Sequence, residues 1–177
     1  MSRFWPHAPY AEDQPLAVPI LTTHVLTRGF QCGGVIGPIV GTARYYLSPS
    51  LRASGQLLST TILRCAGWSS VVSTGVLAVA LAARMHGREH IEWADRSWRL
   101  LENKGQVEVD DWSLGGAVIG GLATARRRLG WTAVTGGTVM GSLAGVGSYM
   151  VWRYGIKKGK WDEVGAVENG EKKAGKL

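Results

Sequence analysis

Charge and hydrophobicity separate into blocks along this chain. Four predominantly apolar intervals, about 23–47, 56–85, 112–126 and 129–153, alternate with polar stretches. An α-helix crosses a hydrocarbon core of roughly 30 Å with about 20 apolar residues. Cys65 to Ala83 holds nineteen uncharged residues and Leu129 to Trp152 twenty-four, each enough for one crossing. Arg28 and Arg44 stand sixteen positions apart in the first interval, about 24 Å along a helix at ~1.5 Å per residue. Their guanidinium groups are placed to snorkel to opposite interfaces. Trp112 to Ala125 is short at fourteen residues and needs a thinned bilayer or an extension at either end. The pattern predicts an all-α membrane protein, a four-helix transmembrane bundle over residues 23–155. A proline-bearing irregular arm, 1–22, precedes it, and a charged flexible tail, 156–177, follows.

Within these intervals small residues recur at every fourth position. Gly29, Gly33, Gly37 and Gly41 do so in the first, Ala66, Ser70, Thr74, Ala78 and Ala82 in the second. Gly116 and Gly120 do so in the third, and Ala133, Gly137, Gly141 and Gly145 in the fourth. Residues four apart share one helical face. In water each interior glycine would cost roughly 1 kcal/mol relative to alanine. In lipid, bare faces let helices approach backbone to backbone, where packing drives association. These glycines are therefore the expected helix-packing seams. Pro38 is compatible, since membrane helices tolerate proline when neighbours satisfy the freed carbonyl.

The polar stretch 86–111 carries its own element. Ile91, Ala94, Trp98 and Leu101 fall on one helical face. Glu92–Arg96 and Asp95–Arg99 set acid four residues before base. The pattern predicts an amphipathic interfacial helix over about 90–102, lying on the membrane or against a partner. Glu108, Asp110 and Asp111 then form an acidic approach suited to the N-terminus of the third membrane helix. Arg126, Arg127 and Arg128 cap that helix and, with Arg28, Arg44, Arg64 and Trp98, are the candidate contacts with lipid or partner. Arg64 lies within the second interval. An intramembrane charge marks a function by default, but an arginine snorkelling to the interface or paired with a partner subunit explains it as well.

Composition sharpens the picture. Glycine numbers 25 of 177 residues, twice the usual share of roughly 7%. The formal charge of +7 suits anionic headgroups better than nucleic acid, because the basic residues flank apolar runs. Cys32 and Cys65 sit inside apolar runs as small packing residues. His86-Gly-Arg-Glu89-His90 matches the H-x-x-E-H of an inverted zinc protease. The match requires both histidines on one helical face, which Gly87 weakens. Interfacial histidines explain it more simply. No nucleophile elbow, phosphate loop or dithiol stands out. The expectation is no catalytic, cofactor or metal site.

Four short glycine-striped segments resemble the Tim translocase family of the mitochondrial inner membrane. The stretch E-W-A-D-R-S-W-R-L-L-E-N-K-G-Q-V-E-V-D-D-W, Glu92 to Trp112, resembles the NUXM-type accessory subunits of mitochondrial NADH:ubiquinone oxidoreductase, complex I. The resemblance covers roughly residues 20–155. It implies a non-catalytic structural subunit of the membrane arm, without a cofactor of its own. Its partners would be other membrane-arm subunits and phospholipids such as cardiolipin. It would be a multi-pass protein of the inner membrane, both termini on the intermembrane-space side. The alternative is a Tim-like component of an inner-membrane protein translocase.

Overall fold

The structure, a computed structural model, describes residues 4–159. Most of the expected charged tail, residues 160–177, lies outside the described residues. Six α-helices and no strand occur among the described residues. They are α1 (Ala17–Leu47), α2 (Pro49–Ala53), α3 (Leu58–Met85), α4 (His90–Glu102), α5 (Lys104–Ala125) and α6 (Trp131–Met150). A 3-10 turn, Ala11–Asp13, precedes α1, and a π-helical turn, Val151–Ile156, extends α6. The protein is all-α.

Two antiparallel hairpins make the bundle. In the first, the glycine face of α1 meets the small-residue face of α3. Gly29 lies against Ser73 and Thr74, Gly33 against Ser69 and Ser70, Gly37 against Ala66, and Gly41 against Ile62 and Cys65. At Gly33 and Gly37 an added Cβ would overlap main-chain atoms of α3. In the second hairpin, Gly116 packs on Gly141 and Gly145, and Gly120 on Gly137 and Gly141. Thr124, whose hydroxyl donates to the Gly120 carbonyl, fills the space beside Gly137. The hairpins join where α3 crosses α6, with Gly67 against Thr132 and Gly136 against Leu63. Bare backbone on both sides of a seam brings the axes close enough for main chain to touch main chain.

Burial is inverted relative to a water-soluble domain. The helix seams are lined mostly by glycine, alanine, serine and threonine, including Ala66, Ser70 and Ala133 at 0% exposure, with Ile20, Leu21, Met85, Val139 and Tyr149 the large apolar side chains buried among them. Many other large apolar side chains point outward. Val35, Ile36, Ile39 and Val40 of α1, Val71, Val72, Val76 and Val79 of α3, and Val118, Ile119 and Leu122 of α5 are all exposed. Aromatic pairs gather at both ends. Trp68 meets Trp131 at a ring-centroid distance of 5.2 Å, and Trp112 meets Trp152 at 5.7 Å at the other.

Several sequence expectations are corrected. Among the described residues one helix, α3, is long and apolar enough to cross a membrane, and 22% of its most apolar window is buried. Helix hydropathy therefore does not support four crossings. The reason is compositional: α1, α5 and α6 spend their inner faces on glycine, serine, glutamine and threonine. The helix expected to begin at Trp112 starts at Lys104 instead, capped by the Asn103 side chain accepting from the Gln106 amide at 3.2 Å. The acidic residues Glu108, Asp110 and Asp111 thus sit inside α5 rather than ahead of it. The helix expected from residue 23 begins at Ala17, entered through Leu16 in the left-handed region at φ 54°.

Candidate functional site

Polar residues meet at the junction of α1, α5 and α6. Three apolar-looking helices each contribute a hydrogen-bonding side chain to their inner face: Gln31 from α1, Asp110 and Ser113 from α5, Ser142 from α6. Each is at most 8% exposed. Gln31 Nε2 donates to Ser113 Oγ at 2.8 Å and to Ser142 Oγ at 2.9 Å, and the two serine hydroxyls lie 2.8 Å apart. Gln31 Oε1 accepts from Arg28 Nη1 at 2.5 Å. Arg28 Nη2 donates to Asp110 Oδ1 at 2.6 Å, and Gln106 Nε2 donates to the same oxygen at 2.8 Å.

This network corrects the expectation for Arg28. Instead of running outward to a headgroup, its guanidinium turns inward and pairs with Asp110. The physical reason is that a buried carboxylate is costly unless it is paired, and Arg28 Nη2 supplies a charged donor while Nη1 bonds Gln31. The pair ties α1 to α5 across eighty-two positions of sequence. Chemically the network is a lock. The Ser113 and Ser142 hydroxyls bond each other and the Gln31 amide.

At the same end of the bundle α4 holds the N-terminal segment. Ala94 and Ser97 are fully buried on its inner face. Trp98, expected to touch lipid or a partner, donates from Nε1 to the Ala8 carbonyl at 3.0 Å and packs beside the His7 ring. The amphipathic face of α4 is therefore covered by the chain's own residues at Ala94 and Trp98, while Ile91 stays exposed. The buried Gln14 closes the segment into a loop, donating to the carbonyls of Pro6 at 2.8 Å and Pro15 at 3.0 Å and accepting from the Ala8 amide at 3.2 Å. Tyr149 Oη donates to Glu108 Oε2 at 2.9 Å and ties the end of α6 to the start of α5.

The zinc-protease spacing dissolves in the structure. α3 ends at Met85, Gly87 turns the chain at φ 69°, and His90 opens a new helix. His86 and His90 thus share no helical face, and among the described residues no group of three His, Cys, Asp or Glu side chains could hold a metal ion.

The remaining candidate arginines gather at the opposite end. Arg44 and Arg64 flank a cavity of about 300 Å³ between α1, α3 and α6, walled by Val40, Cys65, Trp68, Ser69 and Thr132. Arg64 Nη2 reaches the Leu129 carbonyl at 3.5 Å. Arg126, Arg127 and Arg128 are exposed on the turn into α6, with Arg128 at φ 52°. A second, apolar groove of about 600 Å³ runs along the α5–α6 hairpin past Gly116, Gly120 and Gly145.

Polar residues inside uncharged intervals were the one available sign of the lock. Ser113 stands on the face of α5 that also carries Gly116 and Gly120, whereas Gln31 stands on the side of α1 away from the Gly29–Gly41 stripe. The Arg28–Asp110 pair, eighty-two positions apart, left no local trace.

Comparison with the curated proteins finds no match. A family model matches residues 13–150, from the 3-10 turn through the last residue of α6. Because that match takes in every helix described above, the chain belongs to the family described as Protein of unknown function (DUF1757).

Proposed function

We propose that this chain is a non-catalytic structural subunit embedded in a lipid bilayer, where it supports assembly or stability of a larger membrane complex. The observation that carries this reading is the inverted burial: small residues inside, large apolar residues outside. In water, exposing apolar rows on α1, α3 and α5 would cost roughly 25 cal/mol per Å², and contiguous exposed patches of that kind mark an interaction surface. In lipid the same rows are the solvated face. The low mean hydropathy of α1, α5 and α6 reflects residues that face one another and never meet the lipid, so four embedded helices are compatible with it.

The larger complex we propose is the membrane arm of mitochondrial complex I. This assignment rests on the resemblance of Glu92–Trp112 to NUXM-type accessory subunits. It makes the partners other membrane-arm subunits, with the arginine-rich end on the matrix side and both termini in the intermembrane space. The Arg28–Asp110 lock and the glycine seams supply a rigid body for such a role, and no group in the network is set up for catalysis.

The test has two stages. Mitochondrial membranes are washed with alkaline carbonate, and the chain should stay in the pellet; recovery in the aqueous fraction would overturn the membrane reading. Digitonin extracts are then run on native gels with peptide identification. Co-migration with the NADH-oxidising subunits supports the complex I assignment. Co-migration with an import complex would replace it with the translocase reading.

A further inference from the structure

The sequence contains no Asp or Glu between Asp13 and Glu89, and none between Asp111 and Asp162. The fold turns this pattern into a charge separation along the bundle. The end formed by the close of α1, the start of α3 and the α5–α6 turn carries Arg44, Arg52, Arg64, Arg126, Arg127 and Arg128 and no carboxylate. None of these six arginines forms an ion pair with a carboxylate among the described residues. By contrast, every acid of the described residues lies toward the other end, beside α4 and the first half of α5.

We propose that the cavity between Arg44 and Arg64 is a binding site for the phosphate of an anionic phospholipid. The proposal rests on the membrane reading above and deepens it. Three features of the cavity favour a lipid over a free anion or an acidic protein segment. Two guanidinium groups from different helices border one cavity of about 300 Å³, and guanidinium binds phosphate oxygens through paired N–H donors. Ser69, Thr132 and Trp68 line the cavity beside Val40 and Cys65, a mix of polar, indole and apolar groups that suits a headgroup zone. Below the rim the wall continues into outward apolar rows. Exposed Val40 leads to Ile36 on α1, and exposed Trp68 leads to Val72 on α3. A headgroup held by the two arginines would lay its acyl chains along these rows. A free phosphate or a carboxylate-bearing peptide would leave them uncovered.

Arg64 sits nearly two turns inside α3. Its side chain rises to the Leu129 carbonyl at 3.5 Å, which uses one N–H and aims the group toward the rim. A phosphate in the cavity would satisfy the remaining donors of a cation otherwise held against apolar surface.

The experiment uses the full chain in nanodiscs of dioleoylphosphatidylcholine, titrated with dioleoylphosphatidylglycerol, with retained lipid read by native mass spectrometry. Preferential retention of phosphatidylglycerol by the wild-type chain is expected. Arg44→Gln with Arg64→Gln should weaken it about 30-fold, at about one factor of five per removed cation near an anionic surface. Arg52→Gln, outside the cavity, should change it less than 5-fold. Arg44→Lys with Arg64→Lys keeps the charge and removes the paired donors, so it should weaken retention by less than the double Gln variant does; weakening equal to that of the double Gln variant would overturn the charge-based reading. Inorganic phosphate at millimolar concentration should not displace the lipid; displacement would assign the cavity to a free anion. Equal retention by wild type and the double Gln variant overturns the proposal, as does wild-type retention of phosphatidylcholine equal to that of phosphatidylglycerol. The latter comparison needs no variant to fold. Capture of an acidic protein segment by the wild-type chain without lipid preference would also overturn it. A chain that embeds but shows no anionic preference sinks this site alone, whereas a chain washed out by carbonate sinks the membrane reading beneath it.

Discussion

The α1–α3 seam makes a prediction whose sign changes along the helix. Replacing glycine by alanine gains about 1 kcal/mol of helix propensity wherever there is room. At Gly75 of α3 no atom lies within 4 Å of the position a Cβ would take, so Gly75→Ala should stabilise by about that amount. At Gly29 the new Cβ would sit 3.1 Å from the Ser73 carbonyl oxygen and Thr74 Cα, a squeeze of a few tenths of an ångström that roughly cancels the gain. At Gly41 it would sit 2.9 Å from Ile62 Cα, and the balance turns unfavourable. At Gly33 and Gly37 it would overlap the main chain of Ser70 and Ala66, which cannot rotate away as a side chain can. Overpacking of this kind costs about 1–3 kcal/mol, and rigid backbone places it at the upper end, leaving a net loss of about 2 kcal/mol. For a chain of this size each kcal/mol is roughly 2–4 °C in melting temperature. The assay is thermal unfolding in one detergent, followed by far-ultraviolet circular dichroism. Gly75→Ala should rise by about 2–4 °C, Gly29→Ala should stay near zero, and Gly33→Ala and Gly37→Ala should each fall by about 4–8 °C. If Gly37→Ala melted at or above Gly75→Ala, main chain would not be touching main chain at this seam, and the packing argument would be wrong.

Other outcomes follow from the lock and the N-terminal loop. Arg28→Ala or Asp110→Ala alone should cost about 2–3 kcal/mol by breaking the ion pair, while the double variant should cost less than the sum; additive losses in a double-mutant cycle would remove the pair as a coupled element. Gln31→Leu should cost about 1–3 kcal/mol because it removes the donor shared by the Ser113 and Ser142 hydroxyls and the acceptor of Arg28 Nη1, and adding Ser113→Ala and Ser142→Ala should recover part of that loss; no recovery would mean the glutamine acts alone. Trp98→Phe removes the donor to Ala8, a bond worth about 1 kcal/mol, so protease cleavage within residues 4–13 should quicken about 5-fold, whereas an unchanged rate would show that the ring and not the N–H holds the loop.

How much of this was legible depended on whether the signal was local. The spacing of Gly29, Gly33, Gly37 and Gly41 belongs to one helix and could be read directly, as could the i,i+4 acid–base order that gives Arg99–Asp95 at 3.0 Å. The apolar intervals marked helices, but not their ends. Hydropathy stops at Trp112, whereas the backbone continues helical to Lys104, because an acidic helical turn looks like a loop when only polarity is counted. The candidate sites divided in the same way. That Arg44 and Arg64 would share a cavity required the pairing of α1 with α3, and that Arg28 would abandon the surface required Asp110 to arrive from another hairpin. Neither fact resides in any short window of residues.

The joint between the hairpins has a consequence for how the chain is made. Each hairpin is zipped by segments close together in the sequence, the first complete by Met85 and the second by Met150. A growing polypeptide can thus finish one pair before the other has been synthesised. What comes last is the meeting of Gly67 with Thr132 and of Gln31 with Ser142. Damage to that late contact should leave two well-formed halves drifting apart, a failure that helix content alone would never register.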